Sequence, residues 1–251
     1  MKFLAVTDLH YSLRDVPDAE RRNILSAGKL RGITAEHAPG CDFIVDLGDT
    51  ADAGFGDQTE LMTEISDILH GAGLPVYSLI GNHDTSLPKG EICRVMGMPG
   101  RYYSVDTPEY TMLFLDANMN SADAPFPDSE IVWSRTYLDP EQLEFAENTL
   151  AASQKTALVF CHELFTLTDA EAQEHVIINA RDAMDIFERS GKVRAVFCGH
   201  YHYGDLAVVN GIPYITFAAL CLYDDPTCAV VNADKGGITV KGFGRQRDIT
   251  L

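Results

Sequence analysis

No run of 18 or more apolar residues occurs in the 251-residue chain, so no membrane-spanning helix is expected. Basic residues are scarce: 19 Lys and Arg stand against 37 Asp and Glu, a formal net charge of −18. Gripping a nucleic acid duplex through its phosphates takes clustered Lys and Arg, so no duplex partner is expected. A nuclease groove, basic and interleaved with aromatic residues, is not visible either. Any attraction for an anionic ligand must therefore be local, with bound cations supplying the charge. No Cys-x-x-Cys pair occurs among Cys41, Cys93, Cys161, Cys198, Cys221 and Cys228. Several of them lie in apolar runs, which points to buried reduced thiols rather than a disulfide framework. Internal repeats and low-complexity tracts are missing as well.

What is present is ordinary for a globular protein: 46% hydrophobic and 22% charged residues, in a length that suits one domain, 1–251. Met1 to Val6 resembles the start of a signal peptide but reaches Thr7-Asp8-Leu9-His10 too soon for an apolar segment and cleavage site. It reads as a first strand, and a cytoplasmic location is expected.

Short apolar runs alternate with helical patterns. Strands are expected at 2–7, 42–47 and 75–80, with helices at 18–38 and 58–70 between them, the second carrying Leu61, Ile65, Ile68 and Leu69 at helical spacing. Such a β-α-β-α-β start implies parallel strands joined by right-handed crossovers. Further strands are expected at 102–105 and 111–115, as a hairpin, and at 156–161 and 193–198, with helices at 140–152 and 180–190. Close-spaced strands at 206–209, 213–217, 228–232 and 238–242 follow. Parallel strands first and hairpins last predict an α/β fold of two mixed β-sheets packed as a sandwich and flanked by helices, a four-layer αββα arrangement. The unpatterned stretch 118–139 reads as a lid or substrate loop.

Five segments follow directly on apolar runs: Asp8-Leu9-His10, Gly48-Asp49, Gly81-Asn82-His83-Asp84, Cys161-His162-Glu163 and Gly199-His200-Tyr201-His202. Singly, each carries little. A strand-end Asp is usually a helix cap or turn former, and a lone His is usually a satisfied surface or core residue. Jointly they weigh more, because five of the eight histidines fall at these ends. The carboxyl ends of strands form the ligand-binding rim of an open α/β sheet. The spacing of Asp-x-His and His-x-His lets two side chains grip one ion, and carboxylate, imidazole and amide donors suit Mn, Fe or Zn. Asp52, Asp116 and Tyr201 are candidate partners for the ligand histidines. Glu163 reads as a solvated or loop-bonding residue, an added pocket group being the alternative.

The five blocks, in order, resemble the signature of the calcineurin-like metallophosphoesterases: Asp-x-His, Gly-Asp, Gly-Asn-His-Asp/Glu, His, and Gly-His-x-His. The resemblance covers nearly the whole chain, with Gly242 to Gln246 similar to the family's last strand. The stretch Gly48 to Asp52 and the Gly-Asn-His-Asp form look most like the cyclic nucleotide phosphodiesterase group. That group often has His-His-x-Pro at the fourth block, where this chain has Cys161-His162-Glu163-Leu164.

The resemblance implies two divalent or trivalent metal ions (Mn, Fe or Zn), bridged by Asp49 and a hydroxide. Asp8, His10, Asp49 and His202 would hold one ion, and Asp49, Asn82, His162 and His200 the other. His83 would stay off the metals, face the scissile phosphate with Asn82 beside it, and protonate the leaving oxygen, while Asp84 would orient His83 or support the loop. The implied activity is hydrolysis of a small phosphodiester or nucleotide, including cyclic nucleotides, by a metal-bound hydroxide. Alternatives are a phosphomonoesterase, a nucleotide pyrophosphatase or a non-catalytic metal-binding scaffold. The expected partner is a small phosphate ester, and the oligomeric state is open, a homodimer being one option.

Overall fold

The computed structural model describes residues 1–15, 20–52, 56–119 and 133–251. Two six-stranded sheets form its centre. The first comprises β1 (Lys2–Val6), β2 (Phe43–Asp46), β3 (Val76–Ser78), β10 (Cys228–Asp234), β11 (Gly237–Phe243) and β12 (Ile249–Thr250), in the order β12-β11-β10-β1-β2-β3. The second comprises β4 (Tyr103–Asp106), β5 (Tyr110–Leu115), β6 (Thr156–Cys161), β7 (Val193–Cys198), β8 (Tyr203–Val209) and β9 (Ile212–Ala218), in the order β4-β5-β6-β7-β9-β8. Both are mixed. β1, β2 and β3 run parallel while β10 and β11 are antiparallel additions, and β5, β6, β7 and β9 run parallel between antiparallel β4 and β8.

Period-two alternation decides which side chains face where. In β6, Leu158 and Phe160 point into the cluster shared with the first sheet, whereas Ala157, Val159 and Cys161 join the cluster beneath the helices. β7 repeats the pattern with Ala195 and Phe197 inward and Val196 and Cys198 outward. Aromatic rings lock the two sheets together: Phe3 stacks on Phe43 at 5.1 Å within its own sheet and meets Phe160 and Phe197 of the other edge-on at 5.8 and 5.6 Å.

Helices cover the outer faces, as the sequence predicts. α1 (Ser26–His37), α2 (Gln58–Gly71) and α3 (Lys89–Met96) bury Leu30, Ile33, Leu61, Met62, Ile65, Leu69, Ile92 and Met96 against the first sheet. α4 (Pro140–Ala152) and α5 (Ala180–Ser190) bury Ala146, Leu150, Ala183 and Phe187 against the second. Caps fix the ends: Asp57 and Asp139 accept from the N–H of Glu60 and Gln142 at 3.1 and 3.0 Å, and Gly97 and Gly191 close α3 and α5 in the left-handed region.

The sequence-based strands agree with the fold to within a few residues, but one helix needs correction and two elements were missed. The helix expected at 18–38 begins only at Ser26, after a single 3-10 turn at Asn23–Leu25. α3 and the two-residue β12 were not anticipated. Of the stretch expected as a lid, 120–132 lies outside the described residues. Its flanks are anchored: Tyr137 N–H donates to Ala117 O at 2.9 Å, and Asp139 caps α4. No helix among the described residues is long and apolar enough to cross a membrane.

Candidate metal centre

The parallel strands β1, β2 and β3 deliver their carboxyl ends to the same rim as β6 and β7. Loop backbones stitch that rim together: Asp8 N–H donates to Gly48 O at 3.0 Å, His10 N–H to Asp49 O at 2.9 Å, and Gly199 N–H to His162 O at 3.0 Å. The loops touch so closely that side chains are excluded between them. A Cβ on Gly81 would lie 2.1 Å from Asp49 N, and one on Gly199 would lie 2.1 Å from Thr7 Oγ1.

Four non-glycine residues at this rim, Asp8, His10, Asp49 and His200, have φ between 45° and 66°. L-residues enter this region at a cost of about 1 kcal/mol or more, and such strain concentrates at functional sites.

Three groups of side chains bring their ligand atoms within 4.8 Å of one another: Asp49, His162 and His200; His10, Asp49 and His83; and His10, His202 and Cys221. Asp49 is shared by the first two, its Oδ2 lying 3.5 Å from His10 Nε2 and 3.4 Å from His162 Nε2. Asp8 Oδ1 lies 3.4 Å from His202 Nε2 and 3.7 Å from His10 Nε2, and those two ring nitrogens are 3.0 Å apart.

Outer contacts fix which nitrogen of each ring faces the centre. His162 Nδ1 donates to Leu47 O at 2.7 Å, His10 Nδ1 to Asp52 Oδ1 at 2.8 Å and His200 Nε2 to Trp133 O at 2.8 Å. That leaves His162 Nε2, His10 Nε2 and His200 Nδ1 with lone pairs. Asp8 Oδ2 accepts from Thr7 Oγ1 at 2.6 Å and His200 N–H at 3.0 Å, leaving Oδ1 inward.

Buried atoms in this ring of donors lack protein partners: Asp8 Oδ1, His162 Nε2 and both amide atoms of Asn82. An unsatisfied buried polar atom costs about 1–3 kcal/mol, so a set of them facing one space fits cations. The charges agree. Burial opposes ionisation of Asp8 and Asp49, but the facing histidines overcome it and hold both well below the usual carboxylate range. Burial would lower His10, yet the Asp52 and Asp49 carboxylates lift it to about 10. Against burial, the carboxylates raise His162 as well, whereas burial lowers His200 to about 3 and lowers His202, so of these four rings only those of His10 and His162 hold protons that must leave before their inner nitrogens take an ion. Cys221 differs. Burial, then the Asp8 charge, pushes its thiol well up, so it faces His10 and His202 as a neutral group.

His83 comes as near to His10 and Asp49 as the other histidines do, so distance alone does not separate it from them. Its Nδ1 lies 2.6 Å from Asp52 Oδ1 and its side chain is 18% exposed, whereas the His10 and His162 side chains are wholly buried. The ring therefore faces the cleft. Asp84 turns away, its oxygens accepting from the N–H groups of Gly81, Thr50 and Asp49 at 2.8, 2.9 and 3.0 Å. Burial, then the Asp49 charge, lifts it to about 8.

Of the candidate outer partners, Asp52 reaches His10 and His83, while Tyr201 donates to Asp169 and Asp116 pairs with Lys89 and Arg101. Glu163 corrects the solvated half of the sequence reading: it is fully buried, with Oε1 unpartnered.

Beside the centre opens a cleft of about 320 Å³, lined by Asn82, His83, His200 and His202 and also by Arg21, Trp133, His175 and Tyr203. The last four carried no motif signal in the sequence.

Two β-sheets with this rim of Asp and His define a class, and the chain belongs to it: the calcineurin-like phosphoesterase family, whose profile matches residues 1–204. Among solved structures it is similar to a dimetal phosphatase from Danio rerio (TM-score 0.84, 18% identity), covering 99% of this chain and 98% of that one. It is also similar to the purple acid phosphatase PPD1 from yellow lupin seeds (0.67, 14%, 99% of this chain and 52% of that one) and to GAP50 of Plasmodium (0.69, 13%, 100% and 86%). At these identities the likeness concerns the fold. No curated protein sequence matches significantly.

Proposed function

We propose that this protein hydrolyses a small phosphodiester or nucleotide with two metal ions. The observation that carries the reading is Asp49, whose Oδ2 lies between His10 and His162 at 3.5 and 3.4 Å and so joins two groups of donors. Asp8, His10, Asp49 and His202 would hold one ion, and Asp49, Asn82, His162 and His200 the other. When bound, the ions supply positive charge for the phosphoryl oxygens and acidify water at the site. His83 lines the cleft with its Nδ1 2.6 Å from Asp52 Oδ1, and as general acid it would protonate the leaving oxygen. Asp84 shapes the loop that carries Asn82 and His83 by accepting from the backbone N–H groups of Gly81, Asp49, Thr50 and Ala51.

Charge favours a diester. Arg21 is the only Lys or Arg among the described residues lining the cleft, so beyond what the ions supply, the protein adds little positive charge for the second negative charge of a monoester. Cyclic nucleotides stand among the diesters through the form of residues 48–52. A phosphomonoesterase is the second reading, supported by the similar fold described as a dimetal phosphatase.

The test is a hydrolysis screen on chelator-stripped protein, with and without Mn, Fe or Zn, over an aryl monoester, an aryl diester, 3′,5′-cAMP, 2′,3′-cAMP and a glycerophosphodiester. Metal-dependent turnover of a diester is expected. Protein that holds two metals and turns over nothing on the panel rejects the substrate class, and protein that binds no metal rejects the site. His83→Ala is expected to retain both metals and lose about 10²-fold or more in kcat; unchanged turnover in the fully metallated variant removes His83 from the reaction.

A further inference from the structure

One wall of the cleft starts at the ligand candidate His200 and continues through rings that have no part in metal binding or proton transfer. From His200 the ring centroids step 5.1 Å to His175, then 5.1 Å to Trp133 on one side and 5.4 Å to Tyr201 on the other, and a further 5.7 Å to Tyr203. Trp133 and Tyr203 are 44% and 57% exposed. Their neighbourhood already occupies the polar tips. Tyr201 OH donates to Asp169 Oδ2 at 2.8 Å, Tyr203 OH to Glu20 Oε2 at 2.9 Å, and His175 Nδ1 to Ala172 O at 3.0 Å. The rings pack edge-to-face or tilted on one another, at interplanar angles of 62°, 46°, 77° and 69°, so with the tips occupied a ligand meets the exposed ring carbon of Trp133 and Tyr203 rather than hydroxyls. The carboxylates of Asp169 and Glu20 at those tips disfavour a second anionic group on this side.

We propose that this wall is a specificity subsite that stacks a planar, uncharged ring, an aryl group or nucleobase, carried by the ester whose phosphate faces the metal centre. The proposal rests on the phosphoesterase reading, and it narrows the substrate class to aromatic esters over glycerol or sugar esters. Stacking of this kind tolerates different ring systems, because each offers a π-face.

Trp133 is the only tryptophan in the chain, so it reports on the wall directly. The full-length protein, chelator-stripped and then Mn-loaded, is titrated with adenosine, with ribose and with cyclohexanol while Trp133 fluorescence is followed. Adenosine should give a saturable change in both states, and the other two should not. Tyr203→Leu should weaken adenosine about tenfold, whereas Tyr203→Phe, which keeps the ring and loses the Glu20 bond, should stay near the parent. Thermal melting confirms that both variants fold.

No saturable change with adenosine, an equal change with ribose or cyclohexanol, or a folded Tyr203→Leu protein that binds adenosine unaltered overturns the proposal. Because the titration needs neither metal nor turnover, its failure leaves the hydrolysis screen standing. Saturable adenosine binding in a protein without metal-dependent hydrolysis overturns the ester half of the proposal.

Discussion

Glu163 is the residue whose surroundings differ most from its chemistry. Burial, against the pull of His162 and with the Asp116 charge adding to it, raises its carboxyl to about 7. The fold thus favours the protonated form. The stability tied to that proton is complete below about pH 4.5, the ordinary Glu range, and is lost as pH rises through about 7. Glu163→Gln keeps the shape and stays neutral. In metal-free protein it should melt higher than the parent at pH 8, by about 1–3 kcal/mol equivalent, and the gap should close toward pH 4.5. Melting curves across pH check this; a constant gap would show that the effect is packing rather than charge. Nothing in Cys161-His162-Glu163-Leu164 told that Glu163 would point inward, because one polar residue after a strand reads the same whichever way it turns. The Asp and His residues of the rim were legible for the opposite reason: their types, their strand-end positions and their spacing agree. Asp52 could be named only as one candidate among three, since its place beneath His10 and His83 comes from two loops meeting in space.

At the scale of elements, the loops after β2 and β3 behave as one unit. A methyl group on Gly81 would sit 2.1 Å from Asp49 N and 2.2 Å from Asp49 Oδ1. Gly81→Ala must part the loops, and a cost of about 1–3 kcal/mol is expected together with weakened metal binding, read by melting and by metal titration. Retained stability and metal content would mean that the backbone yields without cost. The elements that escaped the sequence did so for physical reasons. α3 is eight residues long, opens after Pro88 with Gly90 inside it, and buries only Ile92 and Met96, too short a stripe to show a period. Residues 20–25 carry helix-compatible side chains, yet Arg22 N–H donates to Cys221 O at 2.8 Å and Asn23 Nδ2 donates to Asp52 Oδ2 at 2.6 Å. Tertiary pairing wins over local propensity there and delays α1 to Ser26.

Across the whole molecule, the candidate ligands come from both layers: Asp8, His10, Asp49 and Asn82 follow strands of the first sheet, and His162, His200 and His202 follow strands of the second. Ions held there would pin one sheet to the other, and binding to the folded state alone stabilises it by about 2.7 kcal/mol at a hundredfold excess over Kd. Chelation should therefore lower the melting temperature, and Mn should restore it in a concentration-dependent way; a melting temperature indifferent to both would separate the site from the fold's stability. The strand order carries another consequence. β1 lies between β2 and β10, and its register with β10 joins Lys2 to Asn232 and Ala5 to Ala229. On the ribosome, β1 can find β2 within some forty residues but must keep its other edge open for about two hundred more, until β10 is translated. Vectorial synthesis thus leaves an apolar strand one-sided for that interval, its free edge open to pairing with other chains.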